Sequence, residues 1–388
     1  METLTFDVAV VGAGPAGSTA AALLARRGIS VALVDRDVFP RDKLCGEFLS
    51  YDALPVLHAL GVVNAIEAAG APSIRRCRIV GSRRLHEFDF PHAARGVSRL
   101  LLDDLLFRTA ESSGATTFAG WTATDLSANQ VTVARGDETL ALRARVVIGA
   151  WGRWGRFDAQ LQRQFVRDRS HRNFGFKRHY ARREGSSDDS IELYSFSRGY
   201  LGVSAVEGGL TNICGLVHMS RLSGHKGRWD AFVTSIRAEE RRLEAMYSRY
   251  EPAQEQFLSS EPVIFRARSP IERGVVMIGD ASGVMDPLTG SGMAMAVQSA
   301  LVAAPHIVRL LTASDRSAIE DAYRAEHARM FARRIGWSRR AAYVLARPRL
   351  LDAALAIVRV EALPRFLLGH TRGNRDAVAR LTDAWFSC

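Results

Sequence analysis

The sequence predicts an α/β fold: a parallel-sheet domain, an antiparallel-sheet domain interleaved with it, and a closing run of helices. Three observations predict it. Residues 5–34 read as apolar strand, helix and apolar strand, the start of a parallel sheet. Residues 116–148 and 174–217 alternate apolar and polar side chains between turn signals, the pattern of antiparallel strands. From Ser314 to Cys388 helical periodicity dominates, punctuated by Pro348 and Pro364.

In chain order, Thr5 to Val11 reads as a buried strand, Pro15 to Arg27 as a helix, and Ile29 to Val34 as a second strand. Thr116 to Ile148 reads as a three-stranded meander turning at "SANQ" and "RGDE". Phe174 to Val217 is strand-rich and broken by "REGSSDDS", and Arg228 to Tyr247 is helix-like and charged. Gly274 to Asp280 is a late strand running into a glycine turn and a helix from about Ser291 to Leu311. No repeat or low-complexity linker separates these blocks, which points to interleaved domains.

A chain of 388 residues, 47% hydrophobic, is long enough for a large core. We find no run of eighteen or more apolar residues and no leader before "LTFDVAVVG", so the expectation is a cytoplasmic protein. The formal charge is +11, with only three lysines (Lys43, Lys177, Lys226) against 49 arginines. Those arginines are scattered in doublets instead of gathered with aromatics on one tract, which argues against nucleic acid and leaves acidic substrates or membrane surfaces open. Cysteines 45, 77, 214 and 388 lack C-x-x-C spacing and the histidines lack paired spacing, so neither disulfides nor a metal site is expected.

"VVGAGPAGS" sets Gly12, Gly14 and Gly17 in G-x-G-x-x-G register between strand and helix, with Asp35 ending the next strand. Gly12 permits the tight turn, Gly14 lets the backbone approach a pyrophosphate, Gly17 allows close helix packing, and Asp35 suits ribose hydroxyls. The helix start adds free N–H groups and a positive dipole end. The loop implies a dinucleotide without choosing between FAD and NAD(P).

A second segment, "VVMIGDASGVMDPLTGSGMAMAVQSA", places Asp280 at a strand end, where an acid can hold a ribityl chain. Pro287, Gly290 and Gly292 then lead into a helix start suited to a flavin's pyrimidine edge. With "VSRLLLDDLLFRTA" between them, the sequence resembles the FAD superfamily of aromatic hydroxylases, geranylgeranyl reductases and flavin-dependent halogenases. The resemblance implies a Rossmann-like FAD domain of the aromatic-hydroxylase type in segments 1–72, 95–165 and 263–312. It implies a substrate domain in 73–94 and 166–262, and a helical region from 313 to 388. The implied FAD contacts are Gly12, Gly14, Pro15, Ala16, Gly17, Asp35, Arg36, Arg41, Cys45, Gly46, Arg99, Gly279, Asp280, Pro287, Gly290, Ser291 and Gly292.

"PRDKLCGEFLS" resembles the P-R-x-K-x-C-G segment of the reductase-like members, a loop that passes the flavin ring. It makes Lys43, Cys45 and Glu47 candidates for catalysis, with a surface loop carrying a small buried thiol as the alternative. Elsewhere the chain departs from its relatives. Trp151 stands where hydroxylases carry the aspartate of a D-G pair, which puts their mode of NADPH recognition in doubt. No second nucleotide motif appears, so the expected electron donor is transiently bound NAD(P)H, a partner reductase or a ferredoxin. "RGYLGVSA" keeps Gly199 and Tyr200 but has Gly202 at the family's aromatic position and Ala205 for its proline, which speaks against halogenation. Tyr194, Phe196, Tyr200 and Gly202 are pocket candidates, with ordinary strand core as the alternative. The C-terminal run from Arg333 to Arg372 alternates arginines with apolar faces, either packing on the FAD domain or touching a membrane surface. His370 and Trp385 receive no role.

The leading expectation is an FAD-dependent monooxygenase of a hydrophobic aromatic or polyketide-like molecule, using oxygen activated at C4a of the reduced flavin. The alternatives are a reductase of an isoprenoid or other alkene, a flavoprotein acting on a carrier-bound or protein substrate, and, last, a halogenase.

Overall fold

The computed structural model describes residues 1–168, 173–185, 189–225, 228–357 and 362–387. Lys226, Cys388 and the middle of "REGSSDDS" lie outside the described residues. The first sheet has Glu2–Val11 at its centre, parallel to Val31–Asp35 on one side and to Glu138–Gly149 on the other, with Val8 opposite Val31 and Val146. Their paired carboxyl-terminal stretches, Val8–Val11, Val31–Val34 and Val146–Ile148, are continuously apolar because both faces are covered there. On one face helix Pro15–Ala25, buried along its whole length, packs against helix Gly292–Thr312.

The expected meander divides. Thr116–Ala119 joins the sheet parallel to Val31–Asp35, while Thr122–Leu126, Gln130–Arg135 and Glu138–Gly149 pair antiparallel. The late strand shortens to Val275–Met277, parallel to Glu138–Gly149, and delivers Asp280 to the sheet's carboxyl end. Helix Gly292–Thr312 has the length and mean hydropathy, 1.4, to cross a membrane, although Gln298, Ser299, His306 and Arg309 interrupt its apolar run. It serves here as a core helix, 78% of its most apolar window being buried in the fold.

The second sheet runs in the order Tyr250–Pro252, Asn173–Arg182, Leu210–His218, Gly199–Ala205, Ser190–Phe196, Ser73–Val80, Leu85–Gly96 and Phe48–Leu49. Its period-two alternation has opposite destinations. Phe176, Tyr180, Tyr194, Phe196, Leu201 and Val203 form a core with helices Trp229–Glu239 and Arg241–Tyr247. The other parity, including Lys177, His179, Tyr200, Gly202, Cys214 and Leu216, lies on the opposite face, toward the first domain. This corrects two pocket expectations: Tyr194 and Phe196 are core residues, and Phe196, 1% exposed, packs edge-on to Phe232. Tyr200 and Gly202 keep the face that a pocket requires.

After helix Ser317–Leu345 come helices Pro348–Ile357, Ala362–Thr371 and Arg375–Ser387. They dock through charge as well as apolar surface. Asp52, fully buried, accepts from Ser50, from Gln298 Nε2 at 3.0 Å, from Arg334 Nη2 at 3.3 Å and from the Gly373 N–H at 2.7 Å. Burial pushes its carboxyl up, but Arg334 and Arg372 outweigh that and hold it below the ordinary range.

Candidate functional site

The glycine loop is built as its spacing requires. Gly12 sits at φ +106°, where a Cβ would meet the Ala150 carbonyl oxygen at 2.5 Å, and a Cβ on Gly17 would drive into the Gly12 carbonyl. Asp35 Oδ2 accepts the Ala13 N–H at 2.7 Å, which ties the acid to the loop it serves. Arg99 opens helix Arg99–Ser112 and reaches back to Gly14, its Nη2 3.7 Å from where a Cβ would stand. Its guanidinium is held bidentate by buried Asp103, Nε and Nη2 each at 2.7 Å. Arg41 pairs with the same Asp103 and lies 3.6 Å from Asp35. Two arginines and two acids thus frame one helix N-terminus, Pro15 and Ala16 forming its first turn. Arg36 points away, 72% exposed and beside Asp37.

At the far end, Gly279 at φ +60° lies against Ala16, and Asp280 follows it. Burial pushes the Asp280 carboxyl up against the pull of Arg153, Arg268 and Arg99, and no hydrogen-bond donor reaches it among the described residues. Arg268, 8% exposed and 3.7 Å over the Phe165 ring, donates Nη1 to the carbonyls of Arg153 and Asp280, while its Nε and Nη2 have no acceptor among the described residues. Pro287 and Gly290 shape the turn before helix Gly292–Thr312; Arg372 donates to the Gly290 carbonyl at 3.3 Å and to Ser291 Oγ at 3.1 Å. A Cβ at Gly46 or Gly292 would meet nothing within 4 Å. A glycine loop closed to side chains, open space at two further glycines, an unpaired acid and orphaned guanidinium donors together suit a flavin dinucleotide.

The opening segment resolves into two parts. Lys43 turns outward to Asp37, Nζ to Oδ2 2.5 Å, with its side chain 35% exposed. Glu47 turns inward, 0% exposed, at φ +55°, a left-handed conformation that costs a non-glycine residue on the order of 1–3 kcal/mol. Its surroundings hold it there. Oε1 accepts from Lys177 Nζ at 2.6 Å and the Arg99 N–H at 2.9 Å, and Oε2 lies 2.6 Å from His179 Nε2. Lys177 also donates to Asp42 Oδ1 at 2.7 Å; burial works against its charge, but Glu47 and Asp42 outweigh it and raise its pKa. Asp42, Glu47 and His179 are spaced closely enough to hold a cation, and the Lys177 ammonium already serves both carboxylates.

This cluster anchors Cys45–Gly46, whose Cys45 carbonyl accepts from Asn212 Nδ2 at 2.9 Å. Burial raises the Cys45 thiol and pushes Cys214 up to about 12. Cys45, Cys77 and Cys214 are free. In native protein at pH 8, Cys214 is expected to react with iodoacetamide at least about a hundredfold more slowly than in urea, read by peptide mass spectrometry; equal rates would refute its raised pKa.

Sequence reasoning missed Lys177, His179 and Arg372. The first two had a readable signal: a lysine kept among 49 arginines, with a histidine two residues on along the same strand face. Arg372 had none, because its contact bridges 82 residues of chain. Trp151 packs on Phe157 in the first sheet's second core and donates Nε1 to Asp158 at 3.3 Å, so an indole fills the loop after that strand.

A cleft of about 940 Å³ opens between the second sheet and the C-terminal helices. Tyr200, Leu216, Phe265 and Ala342 line it with Asp286, which accepts from Tyr200 OH and, at 3.1 Å, from the Leu288 N–H. Asp286 therefore joins strand Gly199–Ala205 to the Pro287–Gly290 turn.

Comparison with known proteins agrees with this geometry. A family model described as FAD binding domain matches residues 5–338. Menaquinone reductase of Mycobacterium tuberculosis (strain ATCC 25618 / H37Rv) is 29% identical, the match covering 97% of this chain and 94% of that protein. A flavin-dependent brominase structure superposes with a TM-score of 0.81 at 20% identity, over 99% of both chains. A probable FAD-dependent monooxygenase from Pseudomonas aeruginosa superposes at 0.70 and 18% identity, over 91% of this chain and 100% of the other. The chain belongs to the FAD binding domain family, with FAD as its cofactor, and is an FAD-dependent oxidoreductase.

Proposed function

We propose that this oxidoreductase is a monooxygenase of a compact hydrophobic molecule, aromatic or polyketide-like, with the substrate seated in the cleft between the second sheet and the C-terminal helices. The observation that carries this reading is the cleft itself: a short apolar inner wall (Tyr200, Leu216, Phe265, Ala342) beside the turn that leads to Gly290–Gly292. A long prenyl chain would need an extended apolar groove, whereas this one gives way to arginines toward solvent.

Bound FAD supplies the redox chemistry, taking up two electrons and activating oxygen. The protein's part is position and electrostatics. Arg99 and the Pro15–Ala25 helix start suit the pyrophosphate, Asp35 the ribose and Asp280 the ribityl hydroxyls. The Gly292 helix start and Arg372, which braces the turn before it, would offer positive potential to the negative charge of a reduced flavin held against that turn. Tyr200 OH is the cleft's positioned hydroxyl, its proton donated to Asp286. The electron donor in this reading is transiently bound NAD(P)H or a partner reductase or ferredoxin.

The test is rapid mixing of reduced, FAD-loaded protein with oxygen, with and without a panel of aromatic and prenylated compounds. We expect a transient absorbing species between reduced and oxidised flavin, and oxygen incorporation into an aromatic compound detected by mass. A second reading, a reductase of an isoprenoid alkene, is favoured by the near full-length similarity to menaquinone reductase. Direct reoxidation without a transient, together with anaerobic reoxidation by a prenylated acceptor, would replace the first reading by the second.

A further inference from the structure

The mouth of the same cleft carries charge that the fold leaves unanswered. Arg198, Arg339, Arg347 and Arg349 line it, together with His218. None of the four arginines has a carboxylate within ion-pair distance among the described residues. Arg198 Nη1 donates to Ser220 Oγ at 2.7 Å, and Arg347 donates to the Tyr343 carbonyl at 2.8 Å while stacking on the Tyr343 ring at 3.5 Å. Both guanidinium groups are therefore held in place, but by neutral partners. Of the nearby acids, Glu240 alone lies at the rim. Asp286, 4% exposed and bound to Tyr200, feels the Arg339 charge but lies beyond ion-pair distance of it, and Asp352 is engaged by Ser82 and the backbone N–H groups of Arg83 and Arg84.

Exposed arginines elsewhere are of both kinds: Arg108 pairs with Asp104 and Arg135 with Glu138, whereas Arg75, Arg143 and Arg309 have no ion-pair partner among the described residues. What sets these four apart is place: they come from a strand end, the long helix and the turn into the next helix, and line the mouth of one cleft with an apolar inner wall. Convergent guanidinium groups with free forks suit a carboxylate or phosphate, and the apolar inner wall suits a ring beyond it.

We propose that the substrate is an anionic amphiphile, a ring or compact apolar body carrying a carboxylate or a phosphate, with the anion bound by Arg339 and Arg349 at the mouth and the ring inside against Leu216 and Phe265. This rests on the cleft being the substrate site, and it adds the charge that selects the substrate. A like-sized neutral molecule would leave the arginines solvated but lose the paired anchor.

The test is equilibrium binding to FAD-loaded protein at low and moderate salt, with 2-naphthoate and 2-naphthyl phosphate as anionic probes and 2-naphthol as their neutral counterpart. We expect at least one anion to bind tenfold or more tighter than naphthol, with which anion wins separating the carboxylate from the phosphate source. That gap should narrow with salt and vanish in the exposed double variant Arg339→Gln/Arg349→Gln. The variant Arg108→Gln/Arg329→Gln removes the same charge from distant surface and should keep the gap. Naphthol binding as tightly as both anions, or a preference that survives Arg339→Gln/Arg349→Gln, overturns the proposal. A preference lost equally in the distant variant also overturns it, reducing it to attraction by net charge. The oxygen-reaction experiment stands apart: oxygenation of neutral compounds only would sink the anionic substrate and keep the monooxygenase, whereas anion binding without oxygenation would do the reverse.

Discussion

Replacing Lys177 with methionine is expected to destabilise the protein by about 3–5 kcal/mol, because the change removes one partner of a buried ion pair and leaves the other charge in place. Glu47 and Lys177 are both 0% exposed, and Glu47 would retain only the Arg99 N–H and His179. Glu47 also holds a left-handed backbone that its partners stabilise, so losing Lys177 should release the Cys45–Gly46 turn and lower FAD occupancy of the purified protein. Glu47→Gln should be milder: the amide oxygen still accepts from Lys177 and Arg99, and Asp42 still serves the ammonium. The double variant Lys177→Met/Glu47→Gln should recover much of the loss, since it removes both charges together. Urea denaturation and the ratio of flavin to protein absorbance measure both effects. A Lys177→Met protein as stable and as flavin-rich as wild type would show that the cluster neither holds the turn nor supports the cofactor.

The parts of this site legible in sequence are those fixed by backbone shape. Gly12, Gly17 and Gly290 could be read because turn geometry and close approach exclude side chains there, and Asp35 because it ends the strand beside the loop. Lys43 and Lys177 show where legibility stops. The opening segment carries Lys43 in plain sight, yet its reach ends at Asp37, while the lysine beside Glu47 arrives from a strand 130 residues later. Strand parity is knowable from sequence, but which parity faces the cofactor is not. Tyr194 and Tyr200 differ by an even number of residues and still occupy opposite faces, because the chain reverses between them at Arg198 (φ +61°). Arg334 and Arg372 could not be assigned for a related reason: charged residues in a helical C-terminus read as solvated until tertiary packing buries them against Asp52 and the Gly290 turn.

Replacing Asp286 with asparagine is expected to change how stability depends on pH, with a sign set by burial. Desolvation pushes the Asp286 carboxyl up to about 7, against the opposing pull of its hydrogen bonds from Tyr200 and the Leu288 N–H and of the Arg339 charge. An acid whose folded pKa lies above its unfolded value binds more protons folded than unfolded between the two. Its contribution is therefore most favourable near pH 4 and declines as pH rises through about 7. Across that window ionisation should subtract about 3–4 kcal/mol from wild type, the linkage equivalent of the shift. Asparagine imitates the protonated acid: its oxygen can accept from Tyr200 and Leu288, and its NH₂ stands where the carboxylic proton would. Wild type and Asp286→Asn should accordingly be closest in stability near pH 4, and the variant should gain on wild type up to about pH 7 and level off above it. Parallel stability profiles across that range would mean that Asp286 ionises as an ordinary surface acid, and that the Tyr200 hydrogen bond, with Arg339 nearby, already compensates its burial. In that case Tyr200→Phe should impose the missing pH dependence, because it takes away the donor that keeps the carboxylate charged.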